Sequence, residues 1–256
     1  MFYPLKFEHK YIEKIWGGKK LSGYRSDVPE GKIGESWDVS AQESGMSMVK
    51  NGKLAGKSLK ELTAMYPQQI LGEEIKSEEF PLLLKIIDAQ AQLSIQVHPD
   101  DEYAAKNPGE SGKNEAWYVI DADDDAYLII GTEDCTESEF KKAVQNHEIN
   151  QYIKKVKVEK GDIFFVKAGM LHAVGPGIML AEVQQSSDTT YRVYDYGRGR
   201  ELHLSKALDV IDFKLNFEKR KGLKVCGPDY NYSYYCLNNK FALDIIKIKE
   251  KYEAEG

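Results

Sequence analysis

Cysteine is scarce in this sequence. The three that occur, Cys135, Cys226 and Cys236, form no Cys-x-x-Cys pair. Neither a disulfide framework nor a thiolate zinc site is expected, and a reducing, cytoplasmic setting fits. Positive charge is also short: 35 Lys and Arg face 41 Asp and Glu, a net charge of −6. That argues against a general nucleic-acid binder, whose phosphate contacts need a basic surface. No apolar run approaches the roughly 20 residues that cross a bilayer, so no membrane partner is expected. Residues 1–8 lack the basic start and long apolar stretch of a secretion signal.

What is present is an ordinary globular composition, 42% hydrophobic and 30% charged over 256 residues, long enough to bury a large core. Short apolar or alternating runs at 82–87, 93–97, 117–120, 127–130, 155–158, 163–166, 178–184 and 191–194 are punctuated by Gly, Pro, Asp or Asn. They predict strands of a barrel or sandwich. Two capping boxes, Ser58-x-x-Glu61 and Thr136-x-x-Glu139, predict helices reaching about Tyr66 and His147. A stripe of Leu204, Ala207, Leu208 and Ile211 predicts a third helix over 204–213. The polar stretch 219–239 predicts a linker.

The chemistry concentrates in three segments. Gln96 and His98 alternate along an apolar run, so a strand would put both on one face. Glu115 opens the run 117–120, and His172 follows the turn-rich stretch from Gly161 to Gly169. Two imidazoles, a carboxylate and an amide oxygen suit a borderline cation such as Zn2+. An acidic chain that binds an anion must gather cations locally, which turns attention to Lys85, Lys113 and Arg192. Blander readings stand beside these. His9, His147 and His203 read as loop histidines. Glu115 pairs with Lys113, and Lys85 snorkels from its apolar run to the surface. Arg192 pairs with Asp188 or Asp195. Trp16, Glu35 and Trp37 are two core aromatics and a surface acid.

Taken in order, seven segments resemble the type I mannose-6-phosphate isomerases, zinc-dependent phosphomannose isomerases of the cupin superfamily, in their short bacterial branch. They are Lys14-Ile15-Trp16-Gly17-Gly18, Gly34-Glu35-Ser36-Trp37, Leu93-Ser94-Ile95-Gln96-Val97-His98-Pro99-Asp100, Gly112-Lys113-Asn114-Glu115, Ala168-Gly169-Met170-Leu171-His172-Ala173, Ser187-Asp188, and Tyr191-Arg192-Val193-Tyr194-Asp195. The resemblance implies a mainly β cupin, a jelly-roll-like barrel with a few inserted helices. It implies one Zn2+ per chain, held by Gln96, His98, Glu115 and His172. Lys85 and Ser94 would lie near a substrate phosphate, and Trp16 at the mouth of the sugar pocket. Departures from the wider cupin pattern are Lys167 where proline is usual, Gln96 for the first histidine, and the long insert 99–114.

The implied reaction interconverts mannose 6-phosphate and fructose 6-phosphate through a cis-enediol. Glu182 is the candidate base, Arg192 the cation beside the enediolate, and Lys113 an aid to ring opening or phosphate binding. Members of this branch continue into a second, smaller cupin domain, whose first strand resembles 241–248. The expected division is a catalytic cupin over 1–218, then a linker and the start of a truncated second cupin over 219–256. A lone strand leaves an unpaired edge, so dimerisation through this segment, or disorder beyond about Phe241, is expected. A non-catalytic zinc cupin that binds sugar phosphates is the competing function. An iron oxygenase is disfavoured by the fourth ligand and the cations.

Overall fold

Alternation of side chains governs the architecture. The computed structural model describes residues 3–249 apart from 76, 78, 216 and 218–222. Its strands are β1 (Lys10–Gly18), β2 (Ile33–Val39), β3 (Leu82–Ala89), β4 (Ile95–Val97), β5 (Glu115–Ala122), β6 (Tyr127–Thr132), β7 (Ile153–Lys157), β8 (Ile163–Val166), β9 (His172–Val174), β10 (Ile178–Gln185) and β11 (Tyr191–Tyr194). They form a six-stranded sheet, β1-β2-β3-β10-β5-β8, and a five-stranded sheet, β11-β4-β9-β6-β7. Every pairing is antiparallel. The expected jelly-roll-like barrel is therefore what forms.

The inner faces of the two sheets meet in the main core. Ile87 and Ala89 of β3, Trp117 and Val119 of β5, and Ile178 and Leu180 of β10 pack there against Leu128 and Ile130 of β6. The residue between the last two, Ile129, points the other way and joins a second core. That second core sits on the outer face of the smaller sheet. It is covered by α4 (Glu137–Gln145) through Phe140 and Val144, and by α5 (Leu204–Val210) through Ala207. A strand buried on both faces reads as a continuous apolar run, as Leu128–Ile130 does.

Both capping boxes are made, at Ser58 before α1 (Leu59–Met65) and at Thr136 before α4. The helix expected over 204–213 stops at Val210. Ile211 turns extended (φ −64°, ψ 122°) and the Asp212 N–H donates to the Gly169 carbonyl at 2.9 Å. Two short helices were not anticipated, α2 (Pro67–Leu71) and α3 (Asp101–Ala104). The latter opens the 99–114 insert, with Asp100 accepting from the Tyr103 N–H at 2.8 Å. Strands β1, β2 and β9 also escaped sequence reading. Register shifts at Ile12/Glu13 and Glu13/Gly18 break the two-residue period of β1, and β9 is three residues long.

The expected linker needs correcting. Within 219–239 lie β12 (Leu223–Cys226) and β13 (Tyr230–Leu237), which pair with each other and with β14 (Ala242–Ile248) in a separate sheet. The tyrosines at 230, 232 and 234 alternate as a strand requires, but the surrounding Asn, Gly and Pro conceal the signal. The strand expected at 241–248 is thus the third of three, paired rather than lone or disordered. The tail 250–256 lies outside the described residues. Phe241, 8% exposed, fixes this sheet to the barrel against Ala116, Leu82 and Phe165, and Lys240 Nζ reaches Asp101 at 2.5 Å. Among the described residues no helix is long and apolar enough to cross a membrane, and Cys135 and Cys226 carry free thiols.

Candidate metal centre and active-site cavity

Side chains two apart on a strand share a face, so the inner faces of the core strands can be followed beyond the core. On β3 the inward set Ala89, Ile87 continues to Lys85. On β5 Val119, Trp117 continues to Glu115 and then Lys113. On β10 Ile178, Leu180 continues to Glu182. On the smaller sheet Ile95 and Val97 face outward into the second core, which turns Ser94, Gln96 and His98 inward. Tyr191 and Val193 likewise face outward, which turns Arg192 inward. One end of the barrel interior is therefore apolar and the other charged. The charged end encloses a cavity of about 210 Å3, lined by nine of the ten candidate residues; His98 is the one behind the wall. A larger groove of about 640 Å3 between α3 and residues 238–240 holds none of them.

His98, Glu115 and His172 are each 1% exposed, and one ligand atom from each lies within 4.8 Å of the others. Both rings are oriented from behind. His98 Nδ1 lies 2.8 Å from the Thr189 carbonyl and His172 Nδ1 lies 2.8 Å from that of Met170. A carbonyl only accepts, so each Nδ1 carries the proton and each Nε2 presents a lone pair. The two Nε2 atoms lie 3.3 and 3.7 Å from oxygens of Glu115. Lys113 Nζ is 2.8 Å from Glu115 Oε1, yet His98 Nε2 and both Glu115 oxygens are buried without a well-aligned hydrogen bond. Three buried acceptor atoms converging on one point with a single ammonium beside them are unfavourable unless a further cation is shared among them. The donor set fits a metal ion.

Protonation agrees with that use. Burial lowers His98 from 6.5 to about 3, with Lys113 adding to the effect. Burial lowers His172 too. Burial pushes the Glu115 carboxyl up, but Lys113 and His98 outweigh it and hold the group well below the usual carboxylate range. Neutral imidazoles and an ionised carboxylate are the ligand forms a metal needs. Gln96 stands opposite His172 across β4 and β9. Its amide nitrogen is 3.4 Å from His172 Nε2 and its oxygen 3.4 Å from Ser94 Oγ. A half-turn of the amide, which changes no shape, turns the oxygen towards the ligand set.

Glu182 lies on the adjacent strand, with Gln184 of β10 opposite Glu115 and Glu182 opposite Trp117. Burial raises its carboxyl, nearby Glu115 raises it further, and Lys85 and Lys113 only partly offset this. Trp117 Nε1 donates to Oε2 at 2.9 Å, while Oε1 lies 3.7 Å from Lys85 Nζ. Lys85 does not snorkel. Its side chain is 10% exposed and its ammonium sits 4.8 Å over the Trp37 ring, where the face of an aromatic ring attracts a cation.

Other blander readings also give way. Glu35 is not a surface acid: it accepts from Trp37 Nε1 at 2.7 Å, pairs with Lys14 at 3.1 Å, and lines the cavity. Trp16, 4% exposed, forms a wall of the cavity and also packs in the main core. Arg192 forms no ion pair with Asp188 or Asp195 among the described residues. It donates from Nη1 to the Glu201 carbonyl at 2.8 Å, and its Nε is buried without a partner. His9, His147 and His203 stay outside the cavity. Sequence reading missed Lys14 and Arg200 as cavity cations. Lys14 sits in the Lys14–Gly18 segment and was open to notice; Arg200 lies in a glycine-rich turn without strand periodicity.

The comparisons with known proteins follow the same geometry. A model of the type I phosphomannose isomerase catalytic domain matches residues 5–152. Mannose-6-phosphate isomerase ManA of Bacillus subtilis is 43% identical over 216 residues, 82% of this chain and 68% of that protein. The mannose-6-phosphate isomerase of Streptococcus mutans is 44% identical over 220 residues, with the same shares. The crystal structure of a mannose 6-phosphate isomerase from Bacillus subtilis superposes with a TM-score of 0.91 at 33% identity, over 96% of this chain and 80% of that one. A chain with this barrel, this buried ligand set and these relatives belongs to the type I phosphomannose isomerase family.

Proposed function

We propose that the chain interconverts D-mannose 6-phosphate and D-fructose 6-phosphate, with one zinc ion held by His98, Glu115, His172 and Gln96. The observation that carries this reading is the coexistence, in one cavity, of a buried cluster able to hold a metal and a second buried carboxylate whose pKa is raised by burial and by its neighbour Glu115. A mere sugar-phosphate binder has no use for the second. When bound, zinc supplies a Lewis acid for the oxygens of the sugar.

The residues do the rest. Lys113, held protonated because Glu115 and Glu182 outweigh its burial, gives a proton to the ring oxygen as the C1–O5 bond breaks and takes back the C1 hydroxyl proton, which leaves the open aldehyde. Glu182, its pKa raised by burial and by Glu115, takes the C2 proton of the aldose through the oxygen not held by Trp117 and returns it to C1. The C2–H electron pair becomes the C1–C2 double bond as the C1 carbonyl pair moves onto O1, and the second half runs in reverse at C2, the O2 hydroxyl proton passing to O1. Arg192, which forms no ion pair among the described residues and keeps a buried Nε without a partner, holds the growing enediolate charge. Lys85 and Ser94 lie towards the phosphate and Trp16 walls the sugar.

Metal analysis with a coupled assay tests the reading. Purified protein is expected to carry about one zinc per chain, to lose turnover of mannose 6-phosphate with a chelator, and to regain it with zinc. Full activity in metal-free protein would sink it. Metal-replete protein that binds the sugar phosphate without turnover would assign it to the non-catalytic class. The same reading includes a homodimer through the C-terminal sheet. There Leu223, Val225, Tyr234, Ile246 and Ile248 share one exposed face. A sedimentation experiment showing only the 29.1 kDa monomer at all concentrations would remove that part.

A further inference from the structure

The two imidazoles of the metal centre are held in different ways. His172 Nδ1 uses the carbonyl of Met170, two residues back in the same turn, so its orientation is set locally. His98 Nδ1 uses the carbonyl of Thr189, 91 residues further along the chain. Thr189 lies in the connection 186–190 between β10 and β11. A connection outside any strand ladder samples many backbone conformations unless other groups restrain it, and a wandering carbonyl would orient no ring.

Ser187 and Gln184 supply the restraint. Ser187, 2% exposed, donates from Oγ to the Ser111 carbonyl at 2.8 Å and accepts from the Thr189 N–H at 3.3 Å. The Ser111 N–H donates in return to Thr189 Oγ1 at 3.2 Å. Both backbone groups of Ser111, on the stretch that leads to Glu115, are thus tied to the connection. From the other side Gln184, 0% exposed, donates from Nε2 to the carbonyls of Ser187 at 2.7 Å and Gln185 at 2.9 Å. Those bonds decide which way the amide lies, since turning it over would set an oxygen against two carbonyl oxygens. In that orientation Oε1 is buried with no hydrogen-bond partner among the described residues, so the amide acts through its nitrogen. Gln184 stands opposite Glu115 across β10 and β5, yet neither it nor Ser187 lines the cavity. The contacts run in one direction: Gln184 to Ser187, Ser187 to Thr189, Thr189 to His98.

We propose that Ser187 and Gln184 are positioning residues for the metal: by fixing the Thr189 carbonyl they hold His98 with Nδ1 protonated and Nε2 aimed at the ion. This role rests on the zinc-dependent isomerase reading above. Losing the hydrogen bond behind a ligating histidine costs about 10- to 100-fold in metal affinity. Ser187→Ala is expected to weaken zinc by that factor, measured by competition with a chelator. Gln184→Met keeps the bulk and removes both donors. It should act in the same direction but by less, because it stands one contact further from the ring. Ser187→Thr keeps the hydroxyl and should restore wild-type affinity.

Ser187→Ala also loses two hydrogen bonds of the fold, so melting temperatures are read for zinc-loaded and metal-free protein. A merely structural role lowers both alike. A positioning role also narrows the gap between them, because zinc that binds more weakly stabilises less. The His98 ring gives a direct readout by NMR of the metal-free protein. Its Nδ1 proton should exchange slowly with water in the wild type and fast in Ser187→Ala. Unchanged zinc affinity and an unnarrowed gap, in whichever of Ser187→Ala and Gln184→Met is folded, would overturn the inference. A wild type that holds zinc without isomerising, with zinc weakened in the variants, keeps the positioning role and defeats the proposed function. A wild-type isomerase whose variants hold zinc as tightly defeats the positioning role alone, and a wild type that binds no zinc defeats both.

Discussion

Glu115 and Glu182 are buried almost equally, 1% and 4% exposed, and stand on neighbouring strands, yet their two corners of the cavity drive them in opposite directions. In the first corner Lys113 and two imidazoles face Glu115 and keep it ionised. In the second, Glu182 has Glu115 as a like-charged neighbour and only partial relief from Lys85 and Lys113, and its carboxyl rises. Burial alone raises both. What separates them is which charges stand nearest, and under the proposed function that order suits one carboxylate to a metal ion and the other to carrying a proton.

Breaking the first corner should have the largest effect. His98→Ala removes a ligand and is expected to abolish bound metal and turnover together, read by metal analysis and the coupled assay. Full metal content in this variant would mean the ligand set is misassigned. Glu182→Gln breaks the second corner alone. Turnover should fall about 10²- to 10⁴-fold, the usual worth of a positioned acid or base, while zinc content stays at the wild-type level. If zinc is lost as well, the two corners are one unit and the contrast drawn here is wrong.

Arg192 probes the space between them. Arg192→Ala should lower kcat about 10²- to 10³-fold, as loss of a charge-stabilising donor does elsewhere, with KM less affected and zinc retained. Arg192→Lys should regain little, since it keeps charge but not the planar fork. A normal kcat with a lowered melting temperature would return Arg192 to the scaffold.

The smallest change sharpens the contrast by pH. Trp117 Nε1 donates to Glu182 and favours its charged form. Trp117→Phe keeps most of the bulk and removes that donor, so the Glu182 pKa should rise further. A base must be deprotonated to act, so kcat increases with pH through the Glu182 pKa. The acidic limb of the kcat profile should therefore move to higher pH, by at most about one unit for a hydrogen bond of roughly 1 kcal/mol. An unmoved limb would show that Glu182 is not the group titrating there.

Much of the site was legible because strands project it. Gln96 and His98 advertise themselves by alternation, and Glu182 and Lys85 interrupt inward faces that are otherwise apolar. Register was not legible. That Gln184 lies opposite Glu115 and Arg192 opposite Gln96 depends on pairings between segments up to about a hundred residues apart. The C-terminal sheet was misjudged because Asn and Gly outweighed the alternating tyrosines. Glu35 was misjudged because an acid beside a tryptophan looks like surface until its partner Lys14 is seen across the β1–β2 pair.

The amino-acid sequence by itself determined the kind of fold and the kind of chemistry. Period-two alternation with short spacings makes antiparallel strands, and two histidines and a glutamate on inward faces form a cluster that could hold a metal ion where those faces converge. Only the tertiary structure decided what each charged group does. A pKa depends on neighbours within a few ångströms, and those neighbours come from other strands. Glu115 and Glu182 are the same residue type; the fold puts Lys113 and two imidazoles beside one and a competing carboxylate beside the other. Ser187 is one more serine in a loop until the fold sets its hydroxyl against Ser111 and the neighbouring Thr189 carbonyl against His98.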